Sequence, residues 1–426
     1  MRILVLSTLY PPVAFGGYEV ECSGVVERLR EHHEVLVLTS AGGDTGLGRD
    51  DDASEQAHVR RELTRLTPDW RGALRAPWAS LQAVRAARRA LAWEPDLIYS
   101  WNGAAIPQAA LRVLADSGVP LAFRVCEHWF AGLFTGDQFL RELLPDGPRG
   151  EGRGLAQVEG RGSARAAWAR GCRAFNALPA LRLQPDAPFR CAISWNSQAI
   201  RRMVQTPPFI EPVLERVGHS VPRHGDLYAQ VLRDPAPVPE VVFLGRVTPY
   251  KGLSVAIEAL AQLRSELGID ARLIVVGPED SGHGAEMRLL AERLGVAAAV
   301  QWRGQATPEQ AAAVLARAHA LIVPSIWEEP FPLVTIEGAL AHVPLVAADV
   351  GGIGEGMHDE EHALLFPRGD ARAAAAALAR VLGNADGETD ARVARAHERG
   401  QAFRLGPYLD EQEQFVRDAR VALRGG

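Results

Sequence analysis

Lysine is almost missing from this chain of 426 residues: forty-five arginines stand against a single lysine, Lys251. A preference for arginine wherever a generic positive charge suffices accounts for the forty-five and leaves the exception unexplained. Lysine is a compact ammonium on a flexible stem, whereas the guanidinium is a broad rigid fork, so a crowded phosphate would favour the former. Cysteine is scarce as well. Cys22, Cys126, Cys172 and Cys191 lie far apart, with no Cys-x-x-Cys pair and no histidine at zinc-finger spacing, which speaks against a disulfide framework or zinc module and fits reduced thiols in a cytoplasmic protein. Long hydrophobic runs are absent too. The opening Met1-Arg2-Ile3-Leu4-Val5-Leu6 meets Pro11-Pro12 before a secretory core could develop, and no stretch reaches the length of a membrane span. It is expected to be a first buried strand. An excess of base is lacking: the formal net charge of -6 argues against coating nucleic acid.

What is present, 47% hydrophobic and 23% charged residues, describes a globular protein. Its length fits two domains of roughly 200 residues. Apolar runs at Ile3–Ser7 and Val35–Thr39 flank a Pro/Gly loop and a helical stretch near Tyr18–Arg30, which is β-loop-α-β at Rossmann-like spacing. Further strands are predicted at Leu97–Ser100, Leu121–Val125 and Cys191–Ser194, with helices at Ser80–Ala92 and Pro107–Ser117. Gly150–Arg165, rich in Gly and Arg, is expected to be a mobile loop. Prolines then recur from Pro207 to Pro239 without a sustained period, marking a connection. A second series follows, with strands at Val241–Leu244, Ala271–Val276, Val300–Trp302, Leu321–Val323, Pro344–Ala347 and Ala363–Phe366, alternating with helices. The expected class is therefore α/β, with two Rossmann-like doubly wound domains facing a cleft. The first covers residues 1–210, a linker 211–239, and the second 240–406; a terminal helix, 407–426, is expected to pack back on the first.

Three constellations carry chemistry. Gly245-Arg246 ends a buried strand, so Arg246 emerges at the carboxyl edge of the sheet, and Lys251-Gly252 follows after a short turn. Two cations there suit a leaving diphosphate; ordinary exposed charges on a strand-turn-helix would look the same. The second is Pro324-Ser325-Ile326-Trp327-Glu328-Glu329-Pro330-Phe331-Pro332-Leu333-Val334-Thr335-Ile336-Glu337-Gly338. A helix starting near Pro332 leaves the amides of Leu333 and Val334 free for a phosphate. Glu337, one turn further in, can accept hydrogen bonds from the vicinal hydroxyls of a ribose, and Phe331 flanks the turn. Two glutamates favoured by a helix start are the plainer reading. The third is Gly351-Gly352-Ile353-Gly354-Glu355 after another strand; Gly16-Gly17 precedes a helix in the first domain in the same way.

Together and in this order these pieces resemble the retaining GT-B glycosyltransferases, specifically glycosyltransferase family 4. The matching elements are Tyr10-Pro11-Pro12 with Gly16-Gly17, Gly245-Arg246 with Lys251-Gly252, Glu329-x7-Glu337, and Gly351-Gly352 with Glu355, so the resemblance spans nearly the whole chain. It implies a sugar transferred with retention from a nucleotide diphosphate donor, without a metal and without a cofactor, the leaving phosphate taking the acceptor's proton. Arg246 and Lys251 look like the diphosphate ligands, Glu337 like the ribose ligand, and Glu329 like the residue addressing donor-sugar hydroxyls. Loops at Gly277-Pro278 and Arg303-Gly304-Gln305 are expected to meet the base. Two departures stand out: Pro332 replaces a frequent glycine and removes one amide, and Gly354 replaces a frequent proline.

The acceptor side is open. Glu127 or His128, in Cys126-Glu127-His128-Trp129-Phe130, would orient an acceptor hydroxyl, and a structural His beside packed aromatics fits equally. Arg65, Trp70, Arg71, Arg75, Trp78, Arg85, Arg88 and Arg89 form a basic, tryptophan-bearing stretch suited to an anionic membrane or acidic acceptor; a solvated helix face is the commoner explanation of such a pattern. Asp50-Asp51-Asp52 reads as surface. Two other functions remain: a nucleotide-sugar 2-epimerase on the same fold, and a non-catalytic nucleotide-sugar-binding protein.

Overall fold

A computed structural model describes residues 1–13, 17–41, 56–66, 70–132, 188–279, 282–384 and 387–424, the side chains of 70–74 excepted. The loop read at Gly150–Arg165, together with Gly16, Asp50-Asp51-Asp52 and Cys172, lies outside the described residues. The chain divides into two compact units. The first comprises Met1–Asn196, Ile200–Gly218 and Leu409–Gly426; the second comprises Ser197–Ala199 and His219–Tyr408.

Seven strands build the sheet of the first unit: β1 (Arg2–Ser7), β2 (Glu34–Ser40), β3 (Val59–Leu63), β4 (Leu97–Asn102), β5 (Leu121–Val125), β6 (Phe189–Trp195) and β7 (Ile210–Val217). Their order is β3-β2-β1-β4-β5-β6-β7, and every pairing is parallel. Parallel strands covered on both faces need near-continuous apolar runs, and β1 buries Ile3 through Leu6 completely. Helices α1 (Gly17–His32), α2 (Trp70–Leu91), α3 (Gln108–Ala115) and the short α4 (Gln198–Met203) accompany them. The core runs from Leu4 and Leu38 through Phe123 to Trp129, Phe130 and Trp195.

The second unit holds β8 (Glu240–Leu244), β9 (Arg272–Val276), β10 (Val300–Gly304), β11 (Ala320–Val323), β12 (Leu345–Ala348) and β13 (Leu364–Phe366), in the order β10-β9-β8-β11-β12-β13. Its helices are α5 (Gly225–Ala229), α6 (Leu253–Ser265), α7 (His283–Arg293), α8 (Pro308–Arg317), α9 (Leu333–Leu340), α10 (Ile353–Gly356), α11 (Ala371–Gly383) and α12 (Glu388–Gly400). Helix α13 (Leu405–Arg424) begins in the second unit and continues into the first. There Tyr99 donates to Gln412 at 2.8 Å, and Asp96 accepts from Arg420 and Arg424 at 3.0 and 2.9 Å.

Three expectations change. Residues 211–239 are not a linker: they begin with edge strand β7, paired to β6, and continue into α5 of the second unit. Pro212 hid the strand, but an edge strand tolerates a missing amide. Strand β3, Val-Arg-Arg-Glu-Leu, carries three charges in five residues and gave no apolar signal. Helix α2 starts ten residues before Ser80 and carries Pro77 inside it, a cost of about 3 kcal/mol that its packing offsets.

Candidate functional site

In the second sheet the chain passes from β8 outward to β9 and β10, then returns to lay β11 on the other side of β8. The carboxyl ends of β8 and β11 thus flank the point where strand order reverses, the place where open α/β sheets leave a crevice for ligands. The Arg246–Gly252 loop leaves β8 there, and the Ser325–Glu329 turn leaves β11.

Backbone geometry locks the two together. A short 3-10 turn, Pro249–Lys251, ends at Gly252 with φ 70°. A Cβ on Gly252 would sit 1.9 Å from the Pro324 carbonyl oxygen, so only glycine allows the approach. Ile326 donates its amide to Tyr250 at 2.9 Å. Lys251 Nζ then reaches Glu329 Oε1 at 2.7 Å, and Ser325 Oγ donates to the same oxygen. Glu329 is 3% exposed and Lys251 retains a quarter of its side-chain surface; the carboxylate is fixed while the ammonium keeps donors to spare. Arg246 is exposed, its guanidinium 6.0 Å from the Tyr250 ring centre, and Tyr250 in turn meets Trp327 at 5.4 Å. Among the described residues Arg246 makes no ion pair.

Glycines at neighbouring strand ends keep this edge low. Gly245 donates to Val276, and Gly277 donates to Gly304, at 2.9 and 2.8 Å. A Cβ on Gly277 would lie 1.9 Å from the Gly245 carbonyl oxygen. Arg303 and Gln305 are exposed beside them, Arg303 donating to Gln301 at 3.0 Å. Gly351, at φ 55°, and Gly352 lean on the Glu329 turn: Gly352 donates to the Glu329 carbonyl at 2.7 Å, and Gly351 to the Glu328 carboxylate at 2.9 Å. Glu328 also pairs with Arg368. One glutamate of the Glu328-Glu329 pair therefore braces the turn and the other holds Lys251.

Helix α9 starts after Pro332, so the amides of Leu333 and Val334 head it with no helical carbonyl behind them. Gly338 lets α9 sit on the sheet, since a Cβ there would lie 2.4 Å from Leu321. Glu337 is half-buried, yet protein surrounds its carboxyl densely enough that desolvation pushes its pKa up to about 7. No described residue donates a hydrogen bond to that carboxyl. Phe331 is buried under the helix start, its ring 4.7 Å from His219 and 5.5 Å from Phe403.

His219 carried no motif and was missed. Its Nε2 lies 3.1 Å from Glu355, which accepts the amides of Gln198 and Ala199 at 2.8 and 2.5 Å. Glu355, matched above within the Gly-Gly element, is thus engaged by backbone amides and His219. Ser325 was also missed; a small hydroxyl directly after a strand was the available signal. His358, Glu361 and His362 gather with ligand-type atoms within 4.8 Å. His362 Nδ1 accepts the His358 amide at 3.2 Å, leaving Nε2 to carry a proton toward Glu361 at 3.7 Å. That spends the ring's lone pair inside the turn.

The remaining predicted residues belong to the first unit. Gly17 opens α1, with Gly16 outside the described residues. Glu127 is exposed and His128, half-buried, opens the 3-10 turn His128–Gly132 after β5, while Trp129 and Phe130 are core.

Residues 228–399 match the family model described as Glycosyl transferases group 1. The D-inositol 3-phosphate glycosyltransferase of Acidothermus cellulolyticus is 36% identical over 148 residues, 33% of this chain and 33% of the relative. The phosphatidyl-myo-inositol mannosyltransferase of Mycobacterium leprae is 34% identical over 145 residues, 34% of this chain and 37% of that protein. The chain spans about a third of the length of these curated relatives. The crystal structure of Anabaena Alr3699/HepE in complex with UDP superposes with a TM-score of 0.66 at 20% identity, covering 98% of this chain and 100% of that one. Two parallel-sheet units with a group 1 match in the second define what is shown of the chain: it has the GT-B fold of these solved structures, and its residues 228–399 match the model described as Glycosyl transferases group 1.

Proposed function

We propose that the chain is a retaining glycosyltransferase of the family 4 type, moving a sugar from a nucleotide diphosphate sugar to a hydroxyl or other nucleophile of a small-molecule, glycan or lipid acceptor. The observation that carries this reading is the Lys251–Glu329 pair beside the unpaired Arg246, at the reversal point of the second sheet. The names of the curated relatives and the UDP held by the Anabaena neighbour support it.

In this reading Arg246 and Lys251 neutralise the diphosphate as the glycosidic bond breaks, together with the amides of Leu333 and Val334. Lys251 has three donors; one stays on Glu329 and the others turn to phosphate oxygens. Glu329, fixed by Lys251 and Ser325, addresses the donor sugar, and Glu337 accepts from the ribose. Gly245, Gly277 and the Arg303–Gln305 strand end let the base approach the backbone. The leaving phosphate takes the acceptor's proton on the face it departs from, so configuration is retained with no protein nucleophile and no metal. Glu127 and His128 are assigned to the acceptor side, and the Gly16-Gly17 loop to the donor, holding one of its oxygens or phosphates. Cys22, Cys126 and Cys191 are buried and unbridged, which supports a reducing, cytoplasmic setting.

The test is transfer and donor binding with UDP-, GDP-, ADP- and dTDP-sugars. Lys251→Ala should lower transfer by about 100-fold, the usual cost of one donor to a developing anion, and Glu337→Ala should weaken donor binding. If both variants bind and transfer like the parent, the reading is wrong. Product analysis by NMR separates retention from inversion and from epimerisation.

A further inference from the structure

We propose that Lys251 is a modification site, acylated by small acyl phosphates, and that its acylation turns the enzyme off. The proposal rests on the sugar-transfer reading, since it puts the reagent's phosphate where that reading puts the donor's diphosphate.

Composition supplies the first argument. Lys251 is the one ε-amine in the chain, against forty-five guanidinium groups, which stay protonated and offer no nucleophile. An acylating agent that other proteins would spread over many surface lysines meets a single lysine side chain here. That side chain lies at the reversal point of the second sheet and keeps a quarter of its surface, enough for a small reagent to reach it.

Geometry supplies the second. An ammonium becomes a nucleophile only when it sheds a proton, and Glu329 Oε1 stands 2.7 Å from Nζ to receive one. The acceptor is fixed, because Glu329 is 3% exposed and Ser325 donates to the same oxygen. The reagent's phosphate has ligands of its own at the ends of β8 and β11. Arg246 is exposed and makes no ion pair among the described residues, a fork open to phosphate oxygens. The amides of Leu333 and Val334 head α9 beyond it. An acylating agent without a phosphate lacks this hold.

The step is an acyl transfer with no oxidation or reduction. The Nζ lone pair attacks the acyl carbon and an N–C bond forms. The bond from that carbon to the phosphate oxygen breaks, and phosphate leaves with the electron pair. Of the two protons that the ammonium gives up, one passes through Glu329 to water and the other goes to the phosphate. Acylation removes the charge and a salt-bridge donor. Glu329 then keeps Ser325 and loses its cation, and the diphosphate loses one of its two. Transfer is thereby tied to the supply of activated carboxylic acids.

The test treats the full chain with acetyl phosphate and reads acetylation by peptide mass spectrometry, the N-terminal amine serving as internal reference. Binding of UDP, GDP, ADP and dTDP is measured in parallel. Lys251 should be acetylated about tenfold faster than the N-terminal amine, the gain of a held reagent. A bound nucleotide should protect it, and Arg246→Gln should erase the advantage. An N-hydroxysuccinimide ester of acetate, which carries no phosphate, should show no dependence on Arg246. Acetylated protein should lose transfer in step with the modified fraction, while Lys251→Arg keeps whatever activity it has after the same treatment. If a nucleotide binds and Lys251 stays unmodified, or reacts equally with nucleotide bound and in Arg246→Gln, the proposal is overturned and the sugar-transfer reading stands. If none of the four nucleotides binds, the reading fails and takes the proposal with it.

Discussion

Glu337, proposed above to hold the donor's ribose, costs the ligand-free fold stability. Its carboxyl is pushed up to about 7 by desolvation, against an ordinary 4.5. A raised pKa means the folded form holds its proton more tightly: nothing is lost below pH 4.5, and stability falls as pH climbs from there toward 7. At pH 8 the penalty is about 3 kcal/mol. Glu337→Gln should therefore stabilise the ligand-free protein by roughly that amount at pH 8 and hardly at all at pH 4, measured by chemical unfolding at both. Equal gains at the two pH values would show that the carboxyl does not titrate there. Lys251 makes the complementary case. Its ammonium works within a loop pressed against Pro324 and shares Glu329 with Ser325. A guanidinium in that space cannot keep Glu329 and still turn to a phosphate, so Lys251→Arg should cost about tenfold or more in kcat/KM. The sequence made both residues visible, Lys251 by its rarity and Glu337 by its spacing from Glu329. It hid Ser325 and His219, whose parts arise only when strand ends from distant segments meet.

At the level of elements, α9 and α12 pack together through an unusual pair of rings. His342, at φ 55° just past α9, stacks on His397 of α12 with ring centres 3.7 Å apart. Burial, then His397 and Arg233, hold the His342 pKa below its ordinary 6.5. A lowered histidine pKa favours the neutral folded form, so its stabilisation is complete above 6.5 and drains away as pH falls through the folded value. This slope opposes that of Glu337. Asparagine tolerates the left-handed backbone and cannot be protonated there, so His342→Asn should flatten the loss of stability between pH 7 and 5 in chemical unfolding. An unchanged slope would move the responsibility to the other histidines with lowered pKa values, His33, His58, His319 and His362. Elements were legible where periodicity was clean, as in the strands of the second sheet. They were not where tertiary pairing overrode local signals: β3 is charged and lies at one sheet edge, and β7 contains a proline and lies at the other.

The whole molecule is interleaved. The first unit is closed by chain that returns after the second is complete, because α13 from Leu409 onward belongs to it. That helix buries Phe415, Val416 and Ala419 at 1% exposure or less and places Gln412 against the Tyr99 hydroxyl. Arg420 and Arg424 share Asp96, whose pKa is held down first by the Arg2 amide and then by Arg420 and Arg424, so the start of β1 and the approach to β4 are tied to the last helix. Removing residues 409–426 would expose those apolar faces and leave Asp96 without two partners. At 1.5–3 kcal/mol for each large apolar side chain, the loss is about 5 kcal/mol or more, comparable to the total stability of an ordinary domain. The shortened chain should accordingly lose cooperative unfolding of the first unit, seen as early hydrogen exchange in β1 and β4, while amides of the second unit stay protected. Unchanged protection of β1 and β4 would mean that the sheet of the first unit stands without its returning helix.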